Sequence, residues 1–294
     1  MRQQKIQLEN KAWQWAILLF LSLIWGTSFI LMKKGLESYS HTQVAAFRIF
    51  FSFVFMLPVT IKNIKAIRKD NVQSLIIVGI IGFAIPAFLF TKAQTRIDSS
   101  LAGMLNSLTP LFTLIVGLLA YRSSARWMNV AGLFLGLMGA VGLMWNGDLN
   151  MLKGINVFAL LIVAATICYG INVNEIKFKL MQLTSLEITS LAFLFTGPVA
   201  GIYLLFTDFT PVSQTPDYVL NLFYIAILAL FSSVIAVLIF NHLIKYTTTL
   251  FATSVTYIIP LFAIMWGIID GESIRLMQLC WIAVILLGVY LVNK

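Results

Sequence analysis

Apolar residues run almost unbroken through this chain in stretches of about 20, separated by short polar clusters. Wound as a helix at about 1.5 Å per residue, one such stretch crosses a hydrocarbon layer about 30 Å thick. The pattern predicts ten spans, over residues 13–32, 42–61, 72–91, 98–120, 127–145, 155–176, 185–207, 218–241, 249–269 and 276–292. Barrel strands would alternate at period two over about ten residues. These runs are continuous and longer, so the expected fold is an all-α integral membrane protein. The loops are too short to hold a separate soluble domain. The first apolar run is too long for a signal-peptide core and no small-residue cleavage site follows it, so it reads as the first helix.

The pattern also repeats. Ile259-Pro260-Leu261-Phe262 and Gly267 follow Thr109-Pro110-Leu111-Phe112 and Gly117 at a distance of 150 residues. Trp25-Gly26 is answered by Tyr169-Gly170, and Lys33 by Lys177, at a distance of 144. Two five-helix units are expected, over 11–146 and 154–294, with the polar stretch 146–150 between them. An odd number of spans per unit turns the second copy upside down, the arrangement of secondary transporters. The step from 144 to 150 puts about six extra residues in the second unit, and 208–217 is a plausible place for them.

Composition changes the picture little. The chain is 60% apolar and 11% charged, well below the quarter that soluble domains carry. The net charge of +9 would suit a nucleic-acid partner were it clustered, but it is not. With the N-terminus inside, thirteen basic residues fall on the inner side and six on the outer, with Arg48 inside a span. The positive-inside rule then puts both termini in the cytoplasm. Anionic lipid headgroups are the expected partner of the basic excess, and no nucleic-acid partner is expected. Cys168 and Cys280 read as packing residues, and His41 and His242 are too far apart for a metal pair. No P-loop motif is present, so ATP binding through one is excluded. No H-E-x-x-H and no Ser/His/Asp cluster at one depth suggests an enzyme or a cofactor.

Candidate functional residues are polar groups at membrane depth. Pro110 and Pro260 each remove a helical hydrogen bond and displace the carbonyl one turn earlier, those of Asn106 and Thr256. In lipid such a break must face protein or water. Two bent helices lining a cavity is the functional reading, and a local kink closed by its own hydrogen bonds the plain one. Trp25, Ser28, Asn106, Asn172 and Tyr257 are the expected wall, offering flat aromatic faces beside hydrogen-bonding groups for a small organic solute. Gly26 and Gly170 are expected to serve close helix packing. Arg48, two turns inside the second span, is a candidate for holding a carboxylate or phosphate or for gating, against snorkelling to the headgroups. Glu187 is the one candidate proton site, against an interfacial position. Trp13, Trp15, Trp127 and Trp145 suit an aromatic belt.

Trp25-Gly26-Thr27-Ser28-Phe29, Phe47-Arg48 and the two Pro-Leu-Phe helices resemble the EamA-type family of the drug/metabolite transporter superfamily. The resemblance covers nearly the whole chain. It implies a bacterial inner-membrane permease, commonly an exporter of amino acids, metabolites or drugs, working by alternating access. Passive facilitation and exchange of phosphorylated metabolites are the alternatives. Family members usually carry a glutamate after the fourth helix of a repeat. Glu272 follows Gly271 here, but Arg122 follows Tyr121 in the first repeat.

Overall fold

A computed structural model describes residues 11–122, 126–144 and 156–292. Trp145, the 146–150 linker and the basic residues Arg2, Lys5, Lys153 and Lys294 lie outside the described residues. Among the described residues nine helices are long and apolar enough to span a bilayer: α1 (Trp13–Leu36), α2 (His41–Ala66), α3 (Val72–Ala93), α4 (Ser99–Ala120), α5 (Trp127–Met144), α6 (Val157–Lys179), α7 (Ser185–Leu205), α8 (Tyr218–Tyr246) and α9 (Thr249–Ile269). A shorter apolar helix, α10 (Leu276–Val292), completes the bundle. No strand occurs among the described residues. The chain is an all-α multi-pass membrane protein. Helices suit lipid because their backbone groups pair within the segment.

Local features recur at the same two distances as the sequence repeat. Ser40 opens α2 with a capping box: its hydroxyl accepts from Gln43 N at 3.3 Å, and Gln43 Oε1 accepts from Ser40 N at 2.9 Å. Thr184 and Glu187 do the same for α7, 144 residues on. Within α3 the backbone widens to a π-helix over Val78–Ala84, and within α8 over Leu228–Ile235. The second begins 150 residues after the first. Pro86 of α3 has no proline counterpart in α8, yet both helices widen alike, so the proline is not what causes the widening. Such π turns collect at functional sites.

α4 and α9 are both discontinuous. α4 is helical over Ser99–Asn106 and again over Thr109–Ala120, with Pro110 in the first turn of the second piece. α9 passes through a 3-10 turn, Ser254–Tyr257, before Ile259–Ile269, where Pro260 takes the same place. The Thr109 hydroxyl donates to Asn106 O at 2.8 Å, and the Thr256 hydroxyl to Thr253 O at 2.9 Å. The Thr109 hydroxyl thus satisfies the carbonyl that Pro110 leaves free. The bent helix and the locally closed kink, weighed above as alternatives, are both present.

Helix packing obeys an exchange of the two halves. α1 packs on α9 as α6 packs on α4, α1 on α8 as α6 on α3, and α2 on α8 as α7 on α3; α2 pairs with α7, and α5 with α10. Gly26 and Gly170 explain one such pair. A Cβ on Gly26 would lie 2.4 Å from Phe262 Cβ, and one on Gly170 would lie 2.8 Å from the Phe112 backbone. Only glycine lets these helices touch, as small residues do in membranes. The hydroxyl of Ser52 lies 3.5 Å from Ala229 O, and Thr196 packs where Gly79 approaches Ala192. Ser52 and Thr196 are 144 apart, Gly79 and Ala229 150 apart. The six extra residues therefore enter between Thr196 and Ala229, an interval that holds a short helix, Thr210–Ser213.

Candidate functional site

Between the two halves lies a cavity of about 950 Å3, counted out to its mouth. Its wall is built from matched positions: Trp25 and Tyr169, Ser28 and Asn172, Gly82 and Ser232, Phe83 and Ser233, Phe90 and Phe240, Asn106 and Thr256. The first two pairs are 144 residues apart and the others 150. The π segments of α3 and α8 and the broken turns of α4 and α9 thus all open onto the same space.

Four of the five expected wall residues, Trp25, Ser28, Asn106 and Asn172, line this cavity, and Arg48 joins them. Tyr257 does not. Its hydroxyl donates to Val289 O of α10 at 2.9 Å. The 3-10 turn advances its residues by more than an α turn does, which takes Tyr257 off the face that Val255 and Thr256 present. Pro110 and Pro260 are buried but do not line the space, so they shape the wall without forming it.

Glu187 is a second correction. It caps α7, its carboxylate accepting from Thr184 N at 2.6 Å, and it is not on the cavity wall. Its counterpart Gln43 does the same work without a charge, so the placement gives no basis for a proton site there. Nor is it the membrane-depth carboxylate that matters most. Glu175 is buried in α6, accepting from Ser74 Oγ of α3 at 2.5 Å and from the Tyr121 hydroxyl at the end of α4.

The polar chemistry of the wall is uneven. Arg48 donates from Nε to Ser233 Oγ at 2.7 Å and does not snorkel. Among the described residues no Asp or Glu lines the cavity. The ion pairs among the described residues all belong to Lys33 and Lys34. Asn172 Oδ1 and Asn241 Oδ1 are buried with no hydrogen-bond partner among the described residues. Unsatisfied buried acceptors are few in native proteins and call for an explanation. The rest is aromatic: Phe83 stacks on Phe193 at 4.6 Å, Phe90 on Tyr169 at 6.0 Å, and Trp25 meets Phe240 edge-on at 5.1 Å.

One end of the cavity is tied by charge. Lys33 of α1 pairs with Asp270 at 2.7 Å and Glu272 at 2.8 Å, beyond the end of α9. Glu272 also accepts from Ser99 N at 2.9 Å, Ser99 Oγ at 2.6 Å and Ser100 N at 3.0 Å, capping α4 from across the bundle. Burial raises the Glu272 pKa, but bonds from Lys33, Ser99 and Ser100 outweigh it and hold the carboxyl at about 2. At the other end Lys177, the counterpart of Lys33, donates to Ile244 O at 3.0 Å and Thr247 O at 2.7 Å.

This duplicated architecture has relatives. The sequence pattern of the EamA-like transporter family matches residues 13–145 and again residues 156–294. The chain belongs to the EamA-like transporter family. Among proteins similar to this family member is an S-adenosylmethionine/S-adenosylhomocysteine transporter of Chlamydia trachomatis, 24% identical over 267 residues, 87% of this chain and 82% of that one. The uncharacterized inner membrane transporter YedA of Escherichia coli is 24% identical over 282 residues, 93% of this chain and 88% of its own. A solved crystal structure shares the EamA-type fold at 15% identity, with a TM-score of 0.65 over 97% of each chain.

Proposed function

We propose that this protein is a secondary transporter that moves a small organic solute across a bacterial inner membrane by alternating access. Membership of a transporter family supports the coarse statement. The finer one rests on a single observation, the cavity wall built from matched residues of two units. Two inverted units can exchange conformations, and the exchange turns an opening at one end into an opening at the other. The two ends carry different contacts, an ion-paired Lys33 at one and a carbonyl-bound Lys177 at the other, and an exchange of conformations would swap their environments. The excess of basic residues at the Lys177 end supports a cytoplasmic position for that end and for both termini.

Trp25, Ser28, Asn106, Asn172 and Arg48 are assigned to the solute. Pro110 and Pro260 set the bend of the wall. The absence of a carboxylate from the lining among the described residues favours a second reading, a passive facilitator on the same fold. Phosphorylated metabolites are less well served, because Lys33 and Lys177 are engaged away from the cavity.

Uptake into oriented proteoliposomes, with and without an imposed pH gradient, separates these readings. Saturable, gradient-driven accumulation of one member of a labelled panel of amino acids and organic anions is the expected result. Equilibration without accumulation would replace the transporter with a facilitator. Asn172→Ala is expected to lower the flux about tenfold while leaving the amount of folded protein unchanged. Wild-type flux would remove Asn172 from the site.

A further inference from the structure

The cavity has two corners that the repeat makes equivalent, and their chemistry is opposite. At one, α2 meets α8, and Arg48 reaches Ser233. At the other, α7 meets α3, and the counterpart of Arg48 is Ala192, fully buried against Gly79. The counterpart of Ser233 is Phe83, stacked on Phe193. One corner is cationic, and the other is a pair of aromatic rings.

A guanidinium carries five N–H donors and is never neutral in proteins. Only Nε of Arg48 has a protein partner among the described residues, and no carboxylate lies within 4 Å of it. A charge held inside a membrane bundle is costly unless something pairs with it. The remaining donors form a planar fork, which matches the two oxygens of a carboxylate. A single cation neutralises a single negative charge. A phosphate dianion would leave one charge unpaired in an aromatic chamber.

From this geometry we infer that the cargo is a monoanionic carboxylate with a flat apolar body, its carboxylate on Arg48 and its body against Phe83 and Phe193. The inference rests on the reading of the cavity as the solute site and narrows it to one chemical class. The free oxygen of Asn172, packed against Gly82 between the two corners, accepts an N–H or O–H from the same molecule.

The test is binding to the purified full-length protein, read by quenching of tryptophan fluorescence or by thermal shift. The probes are 3-phenylpropionate, its methyl ester and phenyl phosphate. The acid is expected to bind at least about tenfold more tightly than the ester or the phosphate, the scale of hydrogen bonds to a charged group. In Arg48→Gln that preference is expected to collapse to near one while ester binding persists. If Arg48→Gln does not fold, wild-type protein carries the test alone. Its affinity for the acid should fall as the pH drops through the range where carboxylic acids titrate, about 4 to 5, and its affinity for the ester should not. Equal binding of acid and ester, tighter binding of the phosphate, or no binding of any probe would overturn the inference. Binding is measured without flux, so a protein that holds the acid and fails to carry it would overturn the transport reading and leave this one standing.

Discussion

The two ends of the cavity are related by the repeat and closed by different physics. Where Glu272 lies, a buried carboxylate gathers a lysine, two backbone N–H groups and a hydroxyl, tying α1, α4 and α9 into one cluster. At the equivalent place in the first half stands Arg122, exposed and with φ 53°. A cation cannot cap a helix N-terminus, whose exposed N–H groups carry partial positive charge. Accordingly α9 is capped by its own Thr248, which accepts from Phe251 N at 3.1 Å. Among the described residues the carboxylate that joins helices at this end is Glu175, held by the Ser74 and Tyr121 hydroxyls. One end is an ion-paired clamp and the other a hydroxyl-bonded latch. The duplication supplies the scaffold, and single substitutions decide how firmly each end holds.

The largest effect is expected where the clamp loses its charge. Glu272→Gln should cost about 2–3 kcal/mol, the worth of hydrogen bonds to a charged group, and lower the melting temperature by roughly 5 °C or more. An unchanged melting temperature would show that the clamp is decorative. The same variant reads out the clamp's pH dependence. The folded-state pKa of Glu272, about 2, lies below the unfolded value of about 4.3. The stability it contributes is therefore fully present above about pH 4.3 and is lost as the pH falls through 2. The difference in melting temperature between wild type and Glu272→Gln should stay constant from pH 8 to 5 and shrink below that. A difference that shrinks between pH 8 and 6 would contradict the assignment.

At the latch the effects should be smaller. Tyr121→Phe removes one of the two hydroxyls on Glu175, with an expected loss of about 1.5 kcal/mol and about 3 °C. A loss as large as that of the clamp variant would erase the distinction between the ends. Smallest of all is Arg122→Gly. A side chain at positive φ costs about 1 kcal/mol, and the matching turn in the second half uses Gly271 at φ 82°. The glycine variant should melt about 1–3 °C higher, and a drop would mean that the Arg122 side chain holds something in place.

Periodicity made the spans, the duplication and the paired proline helices legible in the sequence, because long apolar runs and Pro-Leu-Phe at a fixed distance need no tertiary information. Facing was legible only where the helix stayed regular. Tyr257 was misplaced by a 3-10 turn. Ser232 and Ser233 were not singled out, because a π segment shifts the phase by which a wheel assigns faces. Arg48 stood undecided between headgroups and cavity, since its partner Ser233 is 185 residues away. Glu187 was singled out as a carboxylate in a span, and Glu175 was not. What separates them is contact: one binds its own helix end and the other two neighbouring helices.

The lone cation of the cavity also bears on voltage. An empty cavity carries one positive charge within the membrane, whereas one filled by a monoanion carries none. A potential acts on a moving charge with about 2.3 kcal/mol per 100 mV for a full crossing. Only the empty form feels that force, and an inside-negative potential draws it towards the cytoplasmic side. Export of an anion by this route would be rectified by the membrane potential with no proton carried, and a current would accompany every return stroke.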